Sequence, residues 1–346
     1  MKKIIHIAPA LPPAVNGLGD FCKILADNLE REGFNDNVFM IRQGLEIPTD
    51  ERIDSFNSQN FYDKLESRHA DVLILHYVGY GYNKRGLPFY LVGGLRRYKR
   101  MTGCRLLIFF HELYASSDSL FELAFYTSGM QKLLVKRLSE IADTVFTSCL
   151  LYSDLLRKLL GNRARQPVCT GIFSNIPDNL YDSEVPKEKN SIVVFGSLEK
   201  RNAVYHHKQF EALMLALRIK TLYDIGPGLS DCQFPSVKVV VKGTLHAAEL
   251  ASYFNRIRFG ALSYPPHLLG KSGIFSAYAA FGVIPFNLPV DERPLYDGLI
   301  AGKNYFSWTP GCTGELFNDG DAKDEILKWY HTHDQRKIVE TFKAHL

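Results

Sequence analysis

The stretch Gly270-Lys271-Ser272-Gly273 follows an apolar run, Ala261-Leu262-Ser263-Tyr264-Pro265-Pro266, and opens a small-residue helix over 274–281 that Gly282 can close. A strand, a tight turn and a helix start carrying Gly, Lys and Ser make an anion site. The first N–H groups of the helix lack carbonyl partners, the helix dipole favours negative charge, and Lys271 adds a full positive one. The expected ligand is phosphorylated. The pattern is not a Walker A loop, because Pro265 stands where that motif has its first glycine. The plainer alternative is a capped helix, with Ser272 at the N-cap and Gly282 at the C-terminal stop.

Four further stretches end apolar runs with polar residues. Phe195-Gly196-Ser197-Leu198-Glu199-Lys200-Arg201 puts Lys200 and Arg201 where cations can neutralise a departing diphosphate, Arg in bidentate fashion; the alternative is two solvated charges. The run 105–110 ends in His111-Glu112-Leu113-Tyr114, where His111 can hydrogen-bond a sugar hydroxyl and Glu112 can orient it or act as a base. A rim histidine satisfied by backbone is the alternative. His76-Tyr77 and Lys242-Gly243 are weaker versions of the same pattern. Near the start, Gly17 and Gly19 allow close backbone approach before a helix, but Cys22 occupies the third glycine position of a dinucleotide fingerprint, which disfavours NAD. Arg96, Arg97, Lys99 and Arg100, after Tyr80, Tyr82 and Lys84, can dock on an anionic membrane or a lipid-linked acceptor, or form a solvated helix face.

The elements that must hold these residues alternate. Strands are expected over 4–8, 37–41, 71–77, 105–110, 144–147 and 168–172, with helices over 20–31, 89–101 and 119–141. After a polar linker over 175–190 the pattern restarts: strands 191–195, 221–225, 237–241, 259–263 and 283–286, helices 207–220, 246–254 and 274–281, and a last helix over 322–345. Near-continuous apolar strands separated by helices read as parallel, doubly wound α/β sheets, which take ligands beyond the C-terminal strand ends. With 346 residues the chain is long enough for two domains, expected at 1–175 and 190–320, with 321–346 packing back on the first.

Hydrophobic residues make up 46% and charged residues 23%, ordinary for a globular protein, and a net charge of +4 gives no case for nucleic acid. Six cysteines without a CxxC pair read as reduced thiols rather than a disulfide frame or a zinc site. No ordered metal-ligand spacing is present. The short apolar run at the start reads as a first strand rather than a leader, and no stretch approaches the roughly 20 apolar residues needed to span a bilayer.

Taken in order, these residues resemble the GT-B glycosyltransferases, nearest to the large GT4-type group of polysaccharide and glycolipid synthesis. The resemblance is carried by Pro12-Pro13…Gly17-Leu18-Gly19-Asp20, by His111-Glu112-Leu113-Tyr114, by Phe195-Gly196-Ser197 with Lys200-Arg201, and by Gly270-Lys271-Ser272-Gly273 through Ala279-Ala280-Phe281-Gly282-Val283-Ile284-Pro285. It implies two Rossmann-like domains facing a cleft, the first for a saccharide or lipid-linked acceptor and the second for a nucleotide-diphosphate sugar. It implies no metal and no other cofactor, because helix N-termini and basic side chains hold the leaving diphosphate. A cytoplasmic location follows, with peripheral contact at the inner membrane face as a further expectation.

By position, Gly17 and Gly19 match the family's glycine loop near the phosphates, and His111 matches the acceptor-domain histidine that contacts the donor sugar. Lys200, Arg201, Lys271, Ser272 and Gly273 complete the expected diphosphate site. His111, Glu112, Arg201 and Lys271 are the expected catalytic set. Replacing Lys271 or Arg201 with alanine is expected to abolish transfer and spare the melting temperature.

The chain departs from the family where two glutamates usually stand. Aligned on Gly282 they fall on Leu269 and Ala277, and Ser197 replaces a usual arginine. Retention is the family's usual stereochemistry. The departures keep two other expectations open, a non-catalytic nucleotide- or partner-binding protein and a nucleotide-sugar epimerase.

Overall fold

The apolar runs form two parallel sheets. The computed structural model describes residues 2–14, 17–43, 50–115, 123–161, 165–230, 232–288, 293–307 and 319–346. The chain divides into two units, Met1–Gly171 with Ile338–Leu346, and Ile172–Lys337. The first holds strands β1 (Lys3–Ala8), β2 (Asp36–Arg42), β3 (Ile53–Phe56), β4 (Val72–Tyr77), β5 (Arg105–Phe110), β6 (Thr144–Thr147) and β7 (Val168–Cys169), in the order β3-β2-β1-β4-β5-β6-β7. Its helices are α1 (Gly17–Arg31), α2 (Phe61–Arg68), α3 (Gly79–Tyr82), α4 (Phe89–Thr102), α5 (Leu123–Ile141) and α6 (Leu150–Leu160).

Strand β1 is buried on both faces, as a central parallel strand covered by helices must be. One face, through Ile5, Ile7, Leu73, Leu75, Leu106 and Ile108, joins the larger core cluster. The other is covered by α1, whose buried Phe21, Cys22, Leu25, Ala26 and Leu29 recur at helical spacing. Gly19 is needed where α1 starts: a Cβ there would lie 2.7 Å from the Ala10 carbonyl oxygen.

The second unit repeats the plan with β8 (Glu188–Phe195), β9 (Thr221–Ile225), β10 (Lys238–Gly243), β11 (Ile257–Leu262), β12 (Ile284–Asn287) and β13 (Phe306–Ser307), in the order β10-β9-β8-β11-β12-β13. Its helices are α7 (Leu198–Tyr205), α8 (Phe210–Ala216), α9 (Ala247–Arg256), α10 (Gly273–Ala280) and α11 (Asp319–Tyr330). Helix α12 (Gln335–Lys343) begins in this unit, and its later turns belong to the first, where Phe342 stacks on Phe146 at 4.3 Å.

In each sheet the winding reverses beside the unit's first strand, at β1/β4 and at β8/β11, and the crevice beyond the C-terminal ends of such a strand pair is where doubly wound folds take ligands.

The elements differ from expectation in a few places. Strand β3, helices α2, α3, α6 and α7 and the short β13 are additional. The expected helix 322–345 is two helices, because Asp334 Oδ1 accepts from the Lys337 amide at 3.0 Å and so caps a fresh start. The polar stretch 175–190 is tied down rather than loose: Asp178 accepts from the Tyr330 hydroxyl at 2.6 Å and from the Gln335 amide at 3.0 Å. Of the expected helix 119–141, residues 119–122 lie outside the described residues, as does Cys312. The five described cysteines are all free thiols. Among the described residues no helix is long and apolar enough to cross a membrane.

Candidate functional site

In the first unit, neighbouring strands β1, β4 and β5 bring three histidines into one line. His6 lies in the middle of β1 opposite Ile74 of β4, and His76 stands two residues beyond Ile74. His76 lies opposite Phe109 of β5, and His111 stands two residues beyond Phe109. On the other side Asn37 of β2 lies opposite Ile4, two residues before His6. The same offset repeated three times lays a polar diagonal across four strands, on the face that α1 covers.

The side chains touch in sequence. Asn37 Oδ1 is 3.0 Å from His6 Nε2, His6 Nδ1 is 3.2 Å from His76 Nε2, and His76 Nδ1 is 3.3 Å from His111 Nε2. Phe39, Phe21 and Phe109 pack around the rings, Phe109 with its centroid 4.2 Å from that of His111. Burial pushes His6 down to about 4 against a smaller upward pull from Asn37 and Asp27, and it holds His76 well below the ordinary histidine range, helped by His111 and His6. His6 and His76 are therefore neutral imidazoles at neutral pH.

His111 is buried, and its carbonyl accepts from Ser148 Oγ at 3.2 Å. The next residue, Glu112, is exposed and lines a cavity of about 190 Å³ with Tyr80, Tyr114, Gln131 and Tyr152. Gln131 organises one wall: its amide accepts from Ala115 N–H at 2.9 Å and donates toward the Tyr80 hydroxyl at 3.2 Å and the Arg85 carbonyl at 3.1 Å. His111 and Glu112 are thus adjacent in chain but unlike in setting, one sequestered and one facing a cavity.

Gly17 and Gly19 do not form a loop. Both lie in the first turn of α1, and Gly19 is buried against the Ala10 backbone, so its missing side chain serves packing. The basic cluster on α4 is partly engaged as well. Arg97 stacks on Tyr62 with its guanidinium 3.9 Å from the ring centre, and Lys99 Nζ is 2.7 Å from Asp143.

In the second unit, Arg201 is not available to a diphosphate. Ser197 caps α7 by accepting from the Lys200 amide, and one turn on the helix points the Arg201 side chain inward. Its guanidinium is 0% exposed and donates to Asp224 Oδ1 and to the carbonyls of Pro227 and Gly228, the last at 2.8 Å. Asp224 also accepts from the Tyr205 hydroxyl at 2.6 Å and from Ser230. A buried charge held by carboxylate and carbonyls is committed to the fold, which corrects the catalytic and anion-binding roles expected of Arg201. Lys200 is exposed, with its Nζ 5.7 Å from the centre of the Tyr264 ring.

The phosphate turn is also more regular than expected. Pro266–Lys271 is a 3₁₀ helix in which the amides of Leu268 and Ser272 already bond to the carbonyls of Pro265 and Leu269. Ser272 Oγ accepts from the Phe275 amide at 3.3 Å as the N-cap of α10, so that hydroxyl is committed to the helix. Gly270 packs against Asp297, whose Oδ2 would lie 2.4 Å from a Cβ at that position. What remains for an anion is the exposed start of α10 at Gly273, with half-exposed Lys271 beside it. Helix α10 is fixed by Tyr278, whose hydroxyl donates toward the carbonyls of Val193 and Ala261 and accepts from the Phe195 amide at 3.1 Å. Leu269 and Ala277, which align with the GT4-type glutamates, are fully buried in the apolar core.

Sequence reasoning missed His6, Asn37 and Asp224. The signal was a polar residue inside an otherwise apolar strand: Ile-Ile-His-Ile, Asn-Val-Phe-Met and Thr-Leu-Tyr-Asp-Ile. A buried polar group of that kind requires a partner.

Comparison with solved structures follows the whole chain. The Anabaena protein HepE, in complex with UDP and glucose, superposes with a TM-score of 0.63 at 11% identity over 99% of both chains. The α,α-trehalose 6-phosphate synthase of Burkholderia multivorans gives 0.62 at 10% identity over 100% of this chain and 98% of that one. The chain has the GT-B fold. An α-glucosyltransferase bound to UDP and a DNA 13-mer gives 0.58 at 12% identity over 99% of each chain. No protein-family model and no curated protein matches the chain in sequence. At these identities the shared property is the GT-B fold, with Rossmann-like strand order in each unit.

Proposed function

We propose that the chain is a glycosyltransferase that moves a sugar from a nucleotide-diphosphate donor to a saccharide or lipid-linked acceptor, in polysaccharide or glycoconjugate synthesis. The observation that carries the reading is a GT-B likeness over 99% of the chain to a protein crystallised with UDP and glucose. In this reading the acceptor hydroxyl bonds to the anomeric carbon as the carbon–oxygen bond to the diphosphate breaks. The nucleoside diphosphate leaves with the bonding electrons, and the hydroxyl proton passes to Glu112 or to the leaving phosphate. His111 meets the donor sugar. Lys271, Lys200 and the N–H groups at Gly273 stabilise the diphosphate in place of a metal.

The test is transfer from UDP- and GDP-sugars to an acceptor panel, with and without EDTA. Lys271→Ala is expected to lower kcat roughly 10²–10³-fold, the cost of one lost donor to a developing anion. EDTA is expected to change nothing. Wild-type turnover in Lys271→Ala would remove the diphosphate role, and proton NMR of the product reads the stereochemistry.

A second reading rests on Leu269 and Ala277, both buried and apolar, which leave no carboxylate at either place. In it the fold binds a nucleotide without transferring sugar. Calorimetry showing nucleotide binding together with no transfer to any acceptor selects this reading.

A further inference from the structure

We propose that Asn37, His6 and His76 are positioning residues that hold His111 in a single tautomer, with the hydrogen on Nε2 and Nδ1 as the accepting nitrogen. The hydrogen positions are set from the far end of the line. The Asn37 side-chain amide donates to the Phe34 carbonyl, which can only accept, and this fixes the amide so that Oδ1 faces His6. Oδ1 must therefore receive a hydrogen from His6 Nε2. A neutral imidazole carries one hydrogen, so His6 Nδ1 is bare and accepts from His76 Nε2. His76 Nδ1 is then bare in turn and accepts from His111 Nε2. One backbone carbonyl thus decides the hydrogen positions of three rings. Any other assignment sets two lone pairs face to face or buries an imidazolium among phenylalanines.

The consequence concerns the outer end. Any hydrogen bond made by His111 Nδ1, to protein or to a bound sugar, is one that it accepts. A sugar hydroxyl held there must donate, so His111 orients that hydroxyl and supplies no positive charge. This rests on the reading of His111 as the residue that meets the donor sugar.

Cys22 lies close to the line, with its sulfur and the facing nitrogens of His6 and His76 all within 4.8 Å of one another. Burial pushes its thiol up, so it stays protonated. A metal ion at this place would displace the hydrogen between His6 and His76 and break the line.

Long-range ¹H–¹⁵N correlation of the ¹⁵N-histidine-labelled wild-type protein, with each ring assigned from single His→Gln spectra, tests the proposal directly. The expected result is a neutral Nε2–H pattern for His6, His76 and His111 at pH 7. An Nδ1–H pattern for His111, or stoichiometric bound metal that is lost in Cys22→Ser, overturns it. Asn37→Leu removes the accepting oxygen and is expected to spread the His111 signal over both tautomers. If transfer is observed, Asn37→Leu is expected to lower kcat roughly 10-fold with donor KM little changed, the size seen when outer-shell partners are lost. The wild-type spectrum does not depend on activity. A correct tautomer with no effect of His111→Gln on transfer sinks the donor-sugar reading and leaves the relay standing.

Discussion

The two units share a strand order and differ in how they keep polar groups inside it. The first runs a line of neutral amide and imidazoles across four strands, anchored on one backbone carbonyl. The second buries a full ion pair, Arg201 with Asp224, shared with two carbonyls and two hydroxyls. Uncharged donors cost little to desolvate once each has a partner, whereas ions must be matched in charge as well. The first unit should therefore respond to proton concentration, and the second to loss of either ion.

The largest expected effect comes from breaking the ion pair. Arg201→Ala leaves the Asp224 carboxylate buried and unpaired, which costs about 3–5 kcal/mol. This replaces the expectation that the substitution spares stability. Trp329 is buried in the core of the second unit, so its fluorescence during denaturant unfolding reads that unit. A midpoint unchanged in Arg201→Ala would remove the structural role. A double replacement of Arg201 and Asp224 by apolar residues of similar volume should recover much of the loss.

Acid should separate the units next. Burial lowers His6 to about 4, below the value near 6.5 of an unfolded chain. The unfolded state then binds a proton that the folded state refuses, so stability is full above about 6.5 and is lost as pH falls toward 4. The loss is roughly 3 kcal/mol for His6, and His76 adds in the same direction. In the second unit two groups oppose each other. His333 is lowered to about 4 and loses stability over the same window, but burial raises Asp178 to about 6, so its folded carboxyl takes up a proton first and gains stability as pH falls from 6. Hydrogen exchange, corrected for intrinsic rate, should show the first unit losing protection between pH 6.5 and 4.5 while the second changes little. Loss in the second unit first would contradict this contrast.

Gly19 and Gly17 give a smaller and more local test. A methyl at Gly19 meets the Ala10 carbonyl oxygen at 2.7 Å, so Gly19→Ala should cost about 1–3 kcal/mol through overpacking. Nothing lies within 4 Å of the same position at Gly17, and Gly17→Ala should be neutral or gain up to about 1 kcal/mol. Thermal melts followed by far-ultraviolet circular dichroism separate the two. Equal effects would mean that both glycines serve a backbone role the packing does not explain.

Strands such as 105–110 and 191–195 were legible because a parallel strand covered on both faces is apolar along most of its length. Strand β3 was not, because Ile53-Asp54-Ser55-Phe56 is an edge strand with only Phe56 fully buried. The histidine line was hidden for a different reason. It depends on register between strands, and Asn37, His6, His76 and His111 are spread over more than 100 residues of chain. Arg201 was misread because distance from a strand end says nothing about which way a helix turns its side chains. The matching signal was Asp224, an acid inside an apolar strand, which demands a cation nearby. Position alone located His111 and Glu112 at a strand end, but only the packing distinguishes a ring held from within from a carboxylate facing a cavity.

The smallest effect concerns the two helix starts that the sequence offered as anion sites. Ser272 caps α10 by accepting from Phe275 N–H at 3.3 Å in a buried setting, whereas exposed Ser197 accepts from Lys200 N–H at 3.5 Å. Removing an N-cap hydroxyl costs about 0.5–2 kcal/mol, with the upper part of that range where water cannot replace it. Ser272→Ala should therefore destabilise the second unit by about 1–2 kcal/mol, and Ser197→Ala by about 0.5 kcal/mol, both read by tryptophan fluorescence. If Ser272 instead served a bound phosphate and contributed nothing to the fold, the alanine variant would melt like wild type without ligand and differ only when nucleotide is present. The direction of that difference decides whether the start of α10 is held by its own serine or waits for an anion to complete it.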